Sequence, residues 1–335
     1  MPRKTHDYRP DPAVLATFPD ISGNTVNGVG EAAMRQPSRF FWHPPEEQTH
    51  GALQRETSRR FDAIRSNHPA YYPNADRGPE LVDTARLQEP GGGEHWTKAV
   101  KAFVLADEGD LVGIAPMQDT FIFDGYEVDE PRIVMIGVAH NYDKLKRAPS
   151  SAEDMDSFGD VMDQYNRAAR VAARLTNFIR QRGYRATPHP GPRAKAVNML
   201  PAAIEAGFGE LGKHGSLINR YLGSGFRLSA VTTDMPLHRD YPDEFGADDF
   251  CLHCQVCADA CPPAAIGDQK QLVRGVEKWY VDFDKCIPYF AENLGCAICI
   301  AVCPWTRPGV ADNLLAKMAR RRMRREAEDN DAAEG

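Results

Sequence analysis

The first 250 residues contain no cysteine. That absence excludes a disulfide framework in the body of the chain, and any thiolate metal centre built there. Nor does any apolar run approach the roughly 20 residues that cross a bilayer, and no secretory apolar stretch follows the N-terminus. Ser58-Arg59-Arg60-Phe61 looks like a piece of a twin-arginine signal, but Asp62-Ala63-Ile64-Arg65 follows it, so it reads as a solvated helix face. Basic residues are not in excess: 40 Lys and Arg face 47 Asp and Glu, for a net charge of −7. No electrostatic footprint for nucleic acid results. Gly91-Gly92-Gly93 has no Lys-Ser after it, so it reads as a turn and not as a phosphate loop. These absences lead us to expect a cytoplasmic protein with neither a membrane span nor a nucleic-acid partner.

What the body lacks is concentrated near the end. All eight cysteines lie between positions 251 and 303. The first run is Cys251-x2-Cys254-x2-Cys257-x3-Cys261-Pro262. The second is Cys286-x9-Cys296-x2-Cys299-x3-Cys303-Pro304. The first spacing is a bacterial ferredoxin signature, in which the fourth cysteine ligates the other cluster. Cys251, Cys254, Cys257 and Cys303 are thus expected to hold one [4Fe–4S] cluster, and Cys286, Cys296, Cys299 and Cys261 the second. Where a regular second motif has a cysteine this chain has Asn293, and Cys286 supplies the missing thiolate from upstream. Structural zinc is the alternative, but two C-x3-C-P runs are not its usual spacing.

Hydrophobic residues make up 42% of the chain, ordinary for a globular protein. Four regions are expected: an N-terminal extended arm (1–95), an α/β body (96–245), a ferredoxin-like part (246–309) and a charged tail (310–335). Within them, helices are expected over 53–66, 96–106, 160–182 and 201–208. Strands are expected over 110–115, 132–138, 184–188 and 226–233, with a loop over 142–158. The helix over 160–182 places Met162, Tyr165, Ala169, Ala172, Leu175 and Ile179 on one face. Gly207-Phe208-Gly209-Glu210-Leu211-Gly212 fits the dinucleotide pattern, but it follows a helix and not a strand, which argues against that use. The run Arg320-Arg321-Arg322-Met323-Arg324-Arg325 reads as a solvated face, or as a docking surface for an acidic electron donor.

The segments Ala202-Ala-Ile-Glu-Ala-Gly-Phe-Gly-Glu-Leu-Gly-Lys-His-Gly-Ser-Leu-Ile-Asn219 and Phe226-Arg-Leu-Ser-Ala-Val-Thr-Thr-Asp-Met-Pro-Leu237 resemble the corrinoid-binding core shared by reductive dehalogenases and epoxyqueuosine reductases. Phe178-Ile179-Arg180 with Gly183-Tyr184-Arg185-Ala186 is similar to the dehalogenase version. The resemblance spans about 100–309. It implies a nitroreductase-like α/β (α+β) domain binding cobalamin with its base detached and no protein ligand to cobalt. The absence of an Asp-x-His-x-x-Gly motif is consistent with that. It further implies that Tyr184, Gly191, Asn198, Gly209, Glu210, Lys213, Ser216 and Asn219 contact the corrinoid, and that the clusters reduce it.

Epoxyqueuosine reductases usually carry Gly-Arg-Asp-Tyr-His, whereas the corresponding stretch here is Asp163-Gln164-Tyr165-Asn166-Arg167. Tyr165 instead falls where the dehalogenases place a catalytic tyrosine. Replacing carbon–halogen by carbon–hydrogen consumes two electrons and one proton. A tyrosine gives up that proton more readily where a cation steadies the phenolate left behind. Lys195, Arg193 and Arg227 are the candidate cations. The resulting expectation is a cobalamin-dependent reductive dehalogenase acting on an organohalide, supplied by an external low-potential donor such as ferredoxin or flavodoxin. The alternatives are another corrinoid reductase of the epoxyqueuosine type, or a non-catalytic iron–sulfur electron-transfer subunit. The substrate pocket is expected to draw on the arm and on the 142–158 loop.

Overall fold

The computed structural model describes residues 7–65, 75–191 and 194–334. The arm carries three helices, α1 (Pro12–Leu15), α2 (Gly23–Val26) and α3 (Gly51–Arg65). Asp11 and Ser22 cap the first two by accepting from the amides of Ala13 and Asn24. The arm is stitched to the far end of the chain. The Gly23 amide donates to Asp284 at 2.9 Å, Asn24 Nδ2 donates to Asp282 at 2.9 Å, and Tyr8 donates to Glu292 at 3.0 Å.

The body follows as α4 (Gly93–Ala106), β1 (Leu111–Pro116), β2 (Arg132–Ala139), α5 (Tyr142–Leu145), α6 (Asp156–Arg180), β3 (Ala186–His189), α7 (Met199–Glu205), β4 (Glu210–Leu211), β5 (Leu217–Ile218) and β6 (Phe226–Thr233). Four strands form one antiparallel sheet in the order β1-β2-β6-β3. The period-two alternation of β2 divides its side chains between two cores. Val134 and Ile136 face Val171, Ala172, Leu175 and Ile179 of α6, with Val100 and Val104 of α4. Ile133 and Met135 face Ala202 and Ala203 of α7, with Phe121 and Phe208. Each buried Val, Ile, Leu or Met among these contributes about 1.5–3 kcal/mol. The outcome is a helix–sheet–helix sandwich.

Helix α6 begins four residues before its expected start. Its opening turn is tied down by polar groups that read as loop: the Phe158 amide donates to Ser150 Oγ at 2.8 Å, and Arg147 pairs with Asp154 and Asp156. The loop expected over 142–158 therefore holds α5 and the start of α6. Residues 80–89 run along the other end of α6, where the Ala85 amide donates to the Arg180 carbonyl and the Glu89 amide to that of Arg182.

The cysteine-rich part comprises α8 (Ala247–His253), α9 (Val256–Asp259), the hairpin β7 (Gln271–Val273) and β8 (Val276–Lys278), α10 (Phe283–Glu292) and α11 (Ile298–Ala301). The tail is one helix, α12 (Ala311–Glu334). Its Met318 packs with Phe245, Cys251 and Trp305, so the tail is seated on the cysteine-rich part. Among the described residues no helix is long and apolar enough to cross a membrane.

Candidate active site

The eight thiols form two groups of four. Repulsion from Cys254 and Cys303 acts on Cys251, and repulsion from Cys251, Cys254 and Cys303 acts on Cys257. Cys261 and Cys296 act on Cys286 in the same way, Cys261 acts on Cys296, and Cys296, Cys286 and Cys261 act on Cys299, which also feels Cys257 of the neighbouring group. The chain thus crosses over: Cys261 leaves the first run to join the second group, and Cys303 makes the reverse exchange. Burial, with this mutual repulsion, pushes the Cys251, Cys257 and Cys286 thiols up to about 12. Four such thiolates coexist only around a compensating cationic centre. Among the described residues no three His, Cys, Asp or Glu side chains are placed to hold a single metal ion.

The group around Cys261, Cys286, Cys296 and Cys299 opens into an apolar cavity of about 300 Å³. Trp42, Phe61, Phe158, Met162, Phe290 and Leu294 wall it, and Ser150, Ser157, Tyr165 and Tyr289 are its hydroxyl-bearing residues. A second cavity, a cleft of about 450 Å³, lies between β6, the segment 194–200 and the arm. Gly191, Lys195, Asn198, Ser216, Phe226 and Arg227 line it. Trp42, Tyr165 and Arg227 belong to both linings and therefore stand where the two cavities meet.

The fold makes this junction. Tyr165 stands on the first half of α6, and Ser229 Oγ donates to the Ala168 carbonyl at 2.8 Å, clamping α6 to β6. Arg227 at the start of β6 pairs in register with Val138, two residues before His140. Its guanidinium lies over the Tyr165 ring, 5.0 Å from the centroid. Below them, His140 Nδ1 and Asp160 Oδ2 are 2.5 Å apart, each side chain 2% exposed. Burial lowers the His140 imidazole and the Arg227 charge adds to this, against the pull of Asp160. Burial alone would raise the Asp160 carboxyl, but the hydrogen bond from His140 and that from the Asn141 amide hold it below the ordinary range. These directions favour the neutral imidazole and the charged carboxylate, close enough to Arg227 for its charge to act on His140. Gly191 completes the cleft wall: a Cβ there would sit 2.9 Å from the Leu228 carbonyl and 3.1 Å from the Tyr165 ring.

Of the residues expected at the corrinoid, Gly191, Asn198 and Ser216 line the cleft. The others lie outside its lining. Tyr184 is packed in the α4–α6 core with its ring against Trp96, and its hydroxyl donates to the Glu89 carbonyl. Glu210 turns away to accept from the amides of Phe245, Gly246, Ala247 and Asp248, capping α8. Asn219 holds its own turn, accepting from the Tyr221 and Leu222 amides. Gly209, at φ +116°, lets the chain pass the Ile218 carbonyl and lines the β4 side of the molecule. Lys213 is 1% exposed, its ammonium 4.9 Å from the Trp279 ring centre, beside Cys257. It stands beside the first thiol group and is not part of the cleft lining. Lys195 is exposed at the cleft rim, and its carbonyl bonds His43 Nε2 at 2.9 Å. Arg227 is the cation seated on Tyr165. Arg193 lies outside the described residues.

Trp42, His140 and Asp160 were not anticipated. His140 carried a legible signal, a polar residue directly after the most apolar strand of the chain. Trp42 carried none, because it reaches the site only through the course of the arm.

Residues 250–306 match the 4Fe-4S dicluster domain family. Over 211 residues the chain is 32% identical to the tetrachloroethene reductive dehalogenase of Dehalobacter restrictus, a match covering 59% of this chain and 37% of that protein. Over this stretch the chain is similar to the reductive dehalogenases. A tetrachloroethene reductive dehalogenase of Sulfurospirillum multivorans is likewise 32% identical, over 187 residues. Similarity to an epoxyqueuosine reductase of Leadbetterella byssophila is 36% over a shorter 120 residues, 31% of this chain. In fold, the chain superposes on a catabolic reductive dehalogenase solved with 3-bromo-4-hydroxybenzoic acid. The TM-score is 0.69 at 24% identity, covering 91% of this chain and 46% of that one. The chain thus spans less than half the length of these dehalogenases.

Proposed function

We propose that this protein is a cobalamin-dependent reductive dehalogenase, with Tyr165 as the proton donor. The observation that carries the reading is the junction. One tyrosine, with a cation on its ring, is shared by an open cleft and by an apolar chamber that ends at a group of four cysteines.

The residues present fit the cofactors. Cys251, Cys254, Cys257 and Cys303 would hold one [4Fe–4S] cluster, and Cys261, Cys286, Cys296 and Cys299 the other. Gly191, Asn198 and Ser216 would bed a corrinoid in the cleft. Arg227 Nε is buried with no hydrogen-bond partner among the described residues, the kind of donor a ligand satisfies. A cobalamin held there would supply low-valent cobalt chemistry for cleaving a carbon–halogen bond.

The chain's own contribution is position, dryness and a proton. Trp42, Phe61, Phe158, Met162 and Phe290 exclude water from the chamber and admit an apolar organohalide. Tyr165 Oη donates the proton that replaces the halogen. Arg227 steadies the resulting phenolate, and the buried His140–Asp160 pair holds Arg227 in place electrostatically. An external low-potential donor of the ferredoxin or flavodoxin kind would renew the electrons, in the cytoplasm. The test is anaerobic reconstitution with iron, sulfide and cobalamin. Corrinoid absorbance and halide release from a haloarene or haloalkene under a low-potential reductant are expected. Protein that takes up iron but never corrinoid rules the reading out.

A further inference from the structure

The cysteine group beside Tyr165 opens into the apolar cavity, where Cys286, Cys296 and Cys299 have their partial exposure, which leaves the other group as the entry point for electrons. Cys254, at the end of α8, is the partly exposed cysteine of that group. Two apolar side chains flank it, Leu252 at 45% and Val256 at 37% exposure. The tail helix α12 lies alongside. Arg321 pairs with Asp249 at 3.1 Å and bonds His253 Nε2 at 2.8 Å, which fastens one flank of α12 to the end of α8. Lys317, Arg320 and Arg324 stand on that same flank, one helical turn from each other, and are exposed. Among the described residues none of the three has a carboxylate partner. A chain of net charge −7 thus presents an unneutralised cationic stripe beside its outer thiol group.

We propose that Lys317, Arg320 and Arg324, with Leu252 and Val256, form the docking surface for a small acidic one-electron carrier protein. The apolar pair supplies the contact over Cys254, and the cations orient an acidic surface towards it. The step is one electron from the reduced carrier to the oxidised cluster held by Cys251, Cys254, Cys257 and Cys303, with no proton or atom exchanged. The inference rests on the proposed cluster function, but not on the corrinoid.

The test follows cluster reduction by stopped flow in iron-loaded, corrinoid-free full chain, with an acidic reduced [2Fe–2S] ferredoxin as donor. Reduced methyl viologen serves as a small donor that needs no docking. In R320E/R324E the ferredoxin rate constant at low salt is expected to fall about tenfold or more, with a flatter salt dependence. The viologen rate should stay unchanged. K317Q/R320Q/R324Q should show a smaller loss in the same pattern. K98E applies the same sign of charge change on α4 and should leave both rates alone. An unchanged ferredoxin rate in R320E/R324E, or an equal loss in K98E, overturns the proposal. So does an equal loss with viologen in both tail variants, which would make these cations supports of the cluster part. A protein that reduces normally yet never binds corrinoid refutes the dehalogenase reading and leaves this one standing.

Discussion

Arg227 lies with its guanidinium 5.0 Å from the centre of the Tyr165 ring, on a strand clamped to the helix that carries the tyrosine. The pair is rigid because each partner belongs to a different layer of the sandwich. Exchanging Tyr165 for Phe removes only the hydroxyl. Halide release is expected to fall by about 10²–10⁴, the usual worth of a positioned acid, while bound corrinoid stays at the wild-type level. A variant that loses corrinoid and activity together would show that Tyr165 is a packing residue.

The Arg227 cation is expected to be needed for more than bulk. Arg227→Gln keeps a donor but loses the charge, and kcat should fall at least about tenfold. Arg227→Lys should recover part of that loss, since it restores the charge but not the planar fork. Steady-state halide release across the two variants decides it. Equal rates in Gln and Lys variants would mean the charge is irrelevant.

Removing one thiol from the inner group should divide the cluster part in two. With Cys286→Ser, iron is expected to drop from about eight to about four atoms per chain, and halide release should cease. The outer cluster should still be reducible. Iron analysis paired with electron paramagnetic resonance reads both; full loss of iron would mean that the two groups assemble only together.

Lys213 is fully buried beside Cys257. A positive charge there favours the reduced, more negative cluster. Lys213→Gln should shift that cluster's midpoint potential to more negative values by on the order of 50 mV, about 1 kcal/mol for one electron. Redox titration of iron-loaded protein measures it, and a positive shift would contradict the assignment of Lys213 to the cluster.

Acid should weaken the fold before the carboxylates titrate. Burial pushes His189 and His214 down to about 4. Between the unfolded value near 6.5 and that point, the unfolded chain binds protons that the fold refuses. Their stabilisation is therefore complete above about pH 6.5 and declines as pH falls towards 4, by at most about 3 kcal/mol for each histidine. Anaerobic urea midpoints should fall across this window, and less steeply in His189→Asn.

The cluster part was the most legible, because ligand spacing is local chemistry: a thiolate's place in a short run decides which cluster it can reach. The main strands were legible for a similar reason, since a strand buried on both faces, such as β2, is apolar from Ile133 to Ala139. Residues 202–219 were harder. Their similarity to a corrinoid core was visible, but Glu210, Lys213 and Asn219 are polar residues whose duties depend on what folds against them. One caps α8, one faces a thiol group and one closes a turn.

The sequence by itself determined that eight thiolates make two clusters and that an α/β sandwich precedes them, because spacing and periodicity act over a few residues. Only the tertiary structure decided that Arg227 and not Lys195 sits on Tyr165, and that Trp42 from the arm closes the chamber. Those neighbours come from strand register and from the path of the arm, and both are set by packing between segments far apart in the chain.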